Sequence, residues 1–188
     1  MKKTMLLALG LTLLIAITAC DNDNNSAKAV ADSGTIEVKA NNQDISPVII
    51  SKTVEKPDYG NLDSFQSILE NKAANLPYVK LGETIQVKFL DQTVEPDSYE
   101  LIDYVLTEEG RMKYEKTEPL KPEVEFDKGT ASFILKENMQ AYASSNSKDY
   151  EHGAVLRGFR LLCKWNNGTR EVAFVIRTDA IPEHGQTE

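Results

Sequence analysis

The chain has 188 residues, 41% of them hydrophobic and 27% charged, with 21 Lys+Arg against 29 Asp+Glu and a formal net charge of −8. That apolar content excludes a wholly disordered chain and is enough for one core, while the acidic balance excludes a broad basic footprint for nucleic acid. Two cysteines exclude both a disulfide-dense scaffold and a cysteine-based zinc finger.

Lys2 and Lys3 precede an uncharged run from Met5 to Ala19. A helix needs about 20 apolar residues to cross the hydrocarbon core, so this run is short for a span. A basic start, a short apolar stretch and a small residue before a break form the layout of a secretory signal peptide over residues 1–19. The run ends in Ile17-Thr18-Ala19-Cys20. This box resembles the lipobox of bacterial lipoproteins, with Ile17 where Leu is commonest. The resemblance implies cleavage after Ala19, diacylglycerol on the sulfur of Cys20 and an acyl chain such as palmitate on the new amino group. Asp21 resembles a signal for inner-membrane retention if the envelope is diderm. Two or more acyl chains make release from a bilayer slow, so the implied location is the extracytoplasmic face of the cell membrane. Loss of residues 1–19 removes two lysines and no acid, leaving 19 basic against 29 acidic residues. An anionic membrane surface repels such a chain, so lipid and not a basic patch is the expected anchor.

Residues 20–34 (CDNDNNSAKAVADSG) are small and polar after the cysteine and predict a flexible tether. Asp21, Asp23 and Asn25 imitate the first ligands of a calcium loop, but Ser26 stands where such loops require Gly and Asp32 where they require Glu.

From residue 35 to 181 the pattern is that of strands in one domain, with residues 182–188 as a disordered tail. Thr35–Lys39 and Pro47–Val54 are short and β-branched. Leu62, Phe65, Ile68, Leu69 and Ala73 recur at helical spacing and predict one short helix over Leu62–Asn75, capped by Asp63 or Ser64 and stopped by Pro77. Thr84–Phe89 alternates, with Ile85, Val87 and Phe89 on one face and Gln86 and Lys88 on the other. Tyr99–Leu106 is a strand of two possible registers. The one that turns Ile102, Tyr104 and Leu106 inward is preferred, because the other buries the carboxylate of Asp103 without a partner. Arg111–Lys116 reads as a further strand, and Val124–Phe126 and Thr130–Lys136 flank a hairpin turn at Asp127-Lys128-Gly129. The long connection from Lys136 to Gly153 has room for another turn of helix. In Val155–Trp165 the residues Phe159, Leu161, Cys163 and Trp165 share one face and Arg160, Leu162 and Lys164 the other; Asn166-Asn167-Gly168 turns the chain into Glu171–Arg177.

Strands at this spacing predict an all-β fold, an immunoglobulin-like antiparallel β-sandwich with one short helix. The stretch from Leu62 to Ala180 also resembles small extracytoplasmic lipoproteins of Gram-positive bacteria through Gly82-Glu83-Thr84-Ile85, Asp103-Tyr104, Arg157-Gly158-Phe159-Arg160 and Cys163-Lys164-Trp165. Similar segments accompany antirepressor-type membrane metallopeptidases, which implies a sensory or binding role.

No catalytic spacing stands out. Cys163 falls in phase with the apolar face and reads as a buried, inert thiol. His152 lies among Asp149 and Glu151 in a loop whose consecutive residues do not converge on a metal, and no phosphate loop or nucleophile elbow is present. No catalytic residue, metal ligand or cofactor is assigned. Asp91–Asp127 carries twelve acids and four bases, whereas Lys148–Arg177 carries six bases and three acids. The latter makes Arg157, Arg160, Lys164 and His152 the candidate binding residues, on a basic face steered toward an anionic wall polymer or an envelope protein. The expected function is a membrane-anchored, non-enzymatic binding or sensing module. The alternatives are an accessory or scaffold subunit of a membrane sensor or envelope complex, and an envelope-polymer hydrolase drawing on Glu95, Asp97, Asp103, Glu108 and Glu109.

Overall fold

The computed structural model describes residues 36–46, 48–51, 59–72, 75–166 and 168–182. The signal peptide, Ala19, Cys20, the tether and the tail from 183 onward lie outside the described residues. No helix among the described residues is long and apolar enough to cross a membrane.

The fold is all-β, with two antiparallel sheets packed face to face. The strands are β1 (Ile36–Ala40), β2 (Gln43–Ile45), β3 (Val48–Ser51), β4 (Thr84–Phe89), β5 (Ser98–Leu106), β6 (Glu125–Asp127), β7 (Thr130–Ile134), β8 (Val155–Trp165) and β9 (Gly168–Thr178). The first sheet has the order β2-β1-β4-β7-β6 and the second β3-β9-β8-β5. Thr84–Phe89 and Val155–Trp165 coincide with the predicted strands. Arg111–Lys116 forms no strand; the chain there only touches the end of β5 through a bridge between Leu106 and Met112.

Alternation builds the space between the sheets. Ile36, Val38, Ile85, Val87, Phe89 and Phe133 face Leu101, Phe159, Leu161, Cys163, Trp165, Val172, Phe174 and Ile176. Phe159 stacks on Phe174 across the β8–β9 ladder and meets Phe133 from the opposite sheet, each at 5.2 Å between ring centroids. Each such side chain removed from water contributes about 1.5–3 kcal/mol. The β6–β7 hairpin turns on Lys128 (φ 44°) and Gly129 (φ 78°). Two successive positive φ angles give the primed turn that matches strand twist, and a side chain at Gly129 would run into the Gln92 carbonyl.

Strands β5, β8 and β9 are buried on both faces over most of their length. Helix α1 (Asp63–Lys72) lays Phe65, Ile68 and Leu69 on Ile102, Tyr104, Leu106, Leu156, Leu162, Ala173 and Val175. The helix starts one residue later than its pattern suggested and ends earlier. Its first turn is capped by Asn61, whose side-chain oxygen accepts the Asp63 N–H at 3.1 Å, and not by Asp63 or Ser64. The connection from β7 to β8 holds a second short helix, α2 (Met139–Tyr142), and a 3-10 turn at Ser147–Tyr150.

The preferred register of β5 is corrected by this layering. Ile102, Tyr104 and Leu106 do face inward, toward α1, but Leu101 and Asp103 are buried on the other side as well. The carboxylate of Asp103 is not left unpaired there, and the partner that makes its burial possible comes from β8.

Candidate functional site

That partner is Arg157, one of the residues assigned to the basic face. Arg157 is 2% exposed. Its Nε donates to Asp103 Oδ1 at 3.0 Å, its Nη2 to Oδ2, and its Nη1 to the Lys136 carbonyl at 2.6 Å. Asn138 Nδ2 donates to Asp103 Oδ2 at 2.9 Å while its own Oδ1 caps α2 through the Gln140 N–H. Arg160 is 3% exposed, on the opposite face of β8. It meets Glu171 at 2.8 Å and the Asn61 carbonyl, and lies over the rings of Phe65 and Tyr104. Burial beside these groups pushes the Tyr104 hydroxyl up to about 12. Arg170 pairs with Asp91 and Arg177 with Glu108.

The expected basic face is therefore not a face. Two of its arginines hold strands and helix together from inside, because a buried guanidinium needs both a carboxylate and hydrogen-bond acceptors. Lys164 does point to solvent, past the end of the α1 contact. His152 has a side chain 67% exposed, with Nδ1 3.4 Å from Asp179 and its ring 4.4 Å from that of Tyr78. Tyr78 donates to the other oxygen of Asp179 at 2.5 Å. This small cluster fastens the start of β8 to the end of β9, and Arg157, Arg160, Lys164 and His152 do not converge.

Cys163 is buried, as its phase required, and burial pushes its thiol up to about 12. Among the acids proposed for hydrolysis, Asp103 is locked to Arg157, Glu108 pairs with Arg177 at 3.0 Å, and Glu109 lies 3.6 Å from Arg111. Among the described residues no group of three or more His, Cys, Asp or Glu side chains is placed to hold a metal ion.

A concave surface lies elsewhere, on the outer face of the first sheet. Strand pairing arranges that face as a grid. One row runs Glu37, Lys88, Thr130, Asp127 across β1, β4, β7 and β6; the next runs Asp44, Lys39, Gln86, Ser132, Glu125 from β2 to β6. A third row pairs Thr84 with Ile134. The side chains on β7, Thr130 and Ser132, are shorter than those on the strands beside it, so a trough follows this strand. It comprises a groove of about 410 Å³ lined by both lysine-bearing rows and one of about 510 Å³ running on past Thr84, Ile134 and Lys136 beneath Lys121–Glu123; Ser132 belongs to both. None of Glu95, Asp97, Asp103, Glu108 and Glu109 lines either one. The lining is hydrogen-bonding and charged, with Ile134 (53% exposed) as its exposed large apolar side chain.

Sequence reasoning placed Gln86 and Lys88 on the wet face of β4 but missed Thr130 and Ser132. The usable signal was alternation alone, since a short polar residue on a strand marks the wet side and not its neighbours. No family model matches the chain, and no curated protein or solved structure does either.

Proposed function

We propose that the chain is a lipid-anchored extracytoplasmic binding module, non-enzymatic, held to the outer surface of the cell membrane through Cys20 after cleavage behind Ala19. Two things support the anchor: the Ile17–Cys20 box closing an uncharged run, and the acidity of the chain beyond that box. The domain it carries is an immunoglobulin-like sandwich in this reading. The strands β1-β4-β7-β6 and β5-β8-β9 follow the four-plus-three order of that architecture, with β2, β3 and α1 as additions. Such a fold by itself implies no ligand.

The observation that carries the binding role is the contrast between the two outer faces. Helix α1 covers much of the second sheet's outer face over β5, β8 and β9, whereas the first sheet's is open, polar and grooved. A groove on a rigid four-strand platform presents side chains in fixed register, which recognition requires. The anchor is tested by growing cells with labelled palmitate. The reading expects label in the protein and recovery with membranes, both lost in Cys20→Ala. Unlabelled protein, with the Cys20→Ala form equally membrane-bound, overturns it.

A further inference from the structure

We propose that the trough along β7 takes an uncharged, hydroxyl-rich chain, an oligosaccharide strand, and not an anionic polymer; this deepens the binding reading above and rests on it. Charge decides against the anionic polymer. Lys39 lies 3.6 Å from both Glu37 and Asp44, and Lys88 stands directly across from Glu37 in the ladder. The two charged rows each begin and end on a carboxylate, with a single lysine between. The other lysines of the trough are Lys121, which pairs with Glu100 at 2.6 Å, and Lys128 and Lys136, set against Glu123, Glu125 and Asp127, so charge there nearly balances and a polyanion gains little net attraction.

Unused hydrogen-bonding groups on the same face favour a polyol. Thr84, Gln86, Thr130 and Ser132 form a contiguous uncharged patch over β4 and β7, and none has a side-chain hydrogen bond within the described residues. Hydroxyls and an amide supply both donors and acceptors, the complement of a sugar's own hydroxyls. The carboxylates of Glu125 and Asp127 and the ammonium of Lys88 border that patch and add stronger, charge-assisted bonds to hydroxyl groups. From Thr130 to Ile134 the trough is about 14 Å long at the rise of an antiparallel strand, room for a short oligosaccharide laid end to end. Ile134 at its far end offers an apolar surface for a ring face.

The test uses the mature lipidated chain in detergent. It measures binding to a panel of neutral oligosaccharides, chitin oligomers and dextran oligomers among them, and to poly(glycerol phosphate). The proposal expects a neutral oligosaccharide to bind with an affinity little changed between about 50 and about 500 mM salt. Ser132→Tyr, which fills the trough, is expected to weaken it at least about tenfold at an unchanged melting temperature; Ser132→Ala, which removes one hydroxyl, should weaken it less. Binding to poly(glycerol phosphate) alone, steeply salt-dependent and abolished by Ser132→Tyr, overturns the oligosaccharide and leaves the groove as the binding site. Oligosaccharide binding indifferent to Ser132→Tyr overturns the site, and no binding of any probe overturns the proposal.

Discussion

Arg157 and Asp103 neutralise each other where neither meets water, the guanidinium and carboxylate being 3% and 1% exposed. The pair joins β8 to the edge strand β5, and through Lys136 and Asn138 it also fixes the chain as it leaves β7. Removing one member strands the other charge. Asp103→Ala should cost about 3–5 kcal/mol, and the joint replacement of Asp103 by Leu and Arg157 by Met far less, because no charge then remains to be desolvated. Urea unfolding of both variants checks this. Equal losses in the two would mean that the pair does not act as a unit.

Gly158 leaves room for the Phe65 ring of α1 and the Leu106 side chain against β8. A methyl group there would sit 2.6 Å from Leu106 Cδ1 and 3.0 Å from the Phe65 ring. Its φ is not in the left-handed region, so the demand is for space and not for backbone freedom. Gly158→Ala should lower stability by about 1–3 kcal/mol through overpacking. Combining it with Phe65→Leu should give a smaller total loss than the two changes added separately, which thermal melting of the three variants resolves.

The thiol of Cys163 gives a pH-dependent signature. Its ordinary value of 9.0 is raised to about 12 by burial. Between those values the unfolded thiol has lost its proton and the folded one has kept it. The unfolded state then binds fewer protons, and stability falls as pH rises, by up to about 1.4 kcal/mol per unit from this group. Cys163→Ala should show a shallower decline above pH 9 than the parent in parallel denaturant titrations. At neutral pH the thiol should react with a disulfide reagent only as fast as the fold opens, since a buried neutral thiol is a poor nucleophile.

Asp91 and Arg170 tie the β4–β5 loop to β9 with two parallel bonds of 2.6 and 2.5 Å. The hydrogen bond from Arg170 holds the Asp91 carboxyl below its ordinary 3.8. A lowered carboxyl contributes stability that is present above 3.8 and disappears as pH falls through the folded value. The aspartate is 37% exposed, so water and salt screen the pair, and Asp91→Asn should cost less than about 1 kcal/mol. The difference from the parent should vanish in acid and shrink in about 1 M salt.

Much of the fold was readable from residues alone. Strands β4 and β8, the turns at Lys128–Gly129 and after Trp165, the helical spacing of Leu62 to Leu69 and the buried place of Cys163 all come from local periodicity and turn chemistry, which neighbours in sequence determine. What local pattern cannot carry is which layer covers a strand's second face. Once α1 closes over β5 and β8, Arg160 is enclosed with Glu171 on that side, while Arg157 and Asp103 pair on the opposite face, and the expected basic face becomes two interior ion pairs. Arg157 and Asp103 sit 54 residues apart, and only the folded chain brings them together. The same holds for the trough on the first sheet, because its wall on the β4 side comes from a strand that only folding sets beside β7.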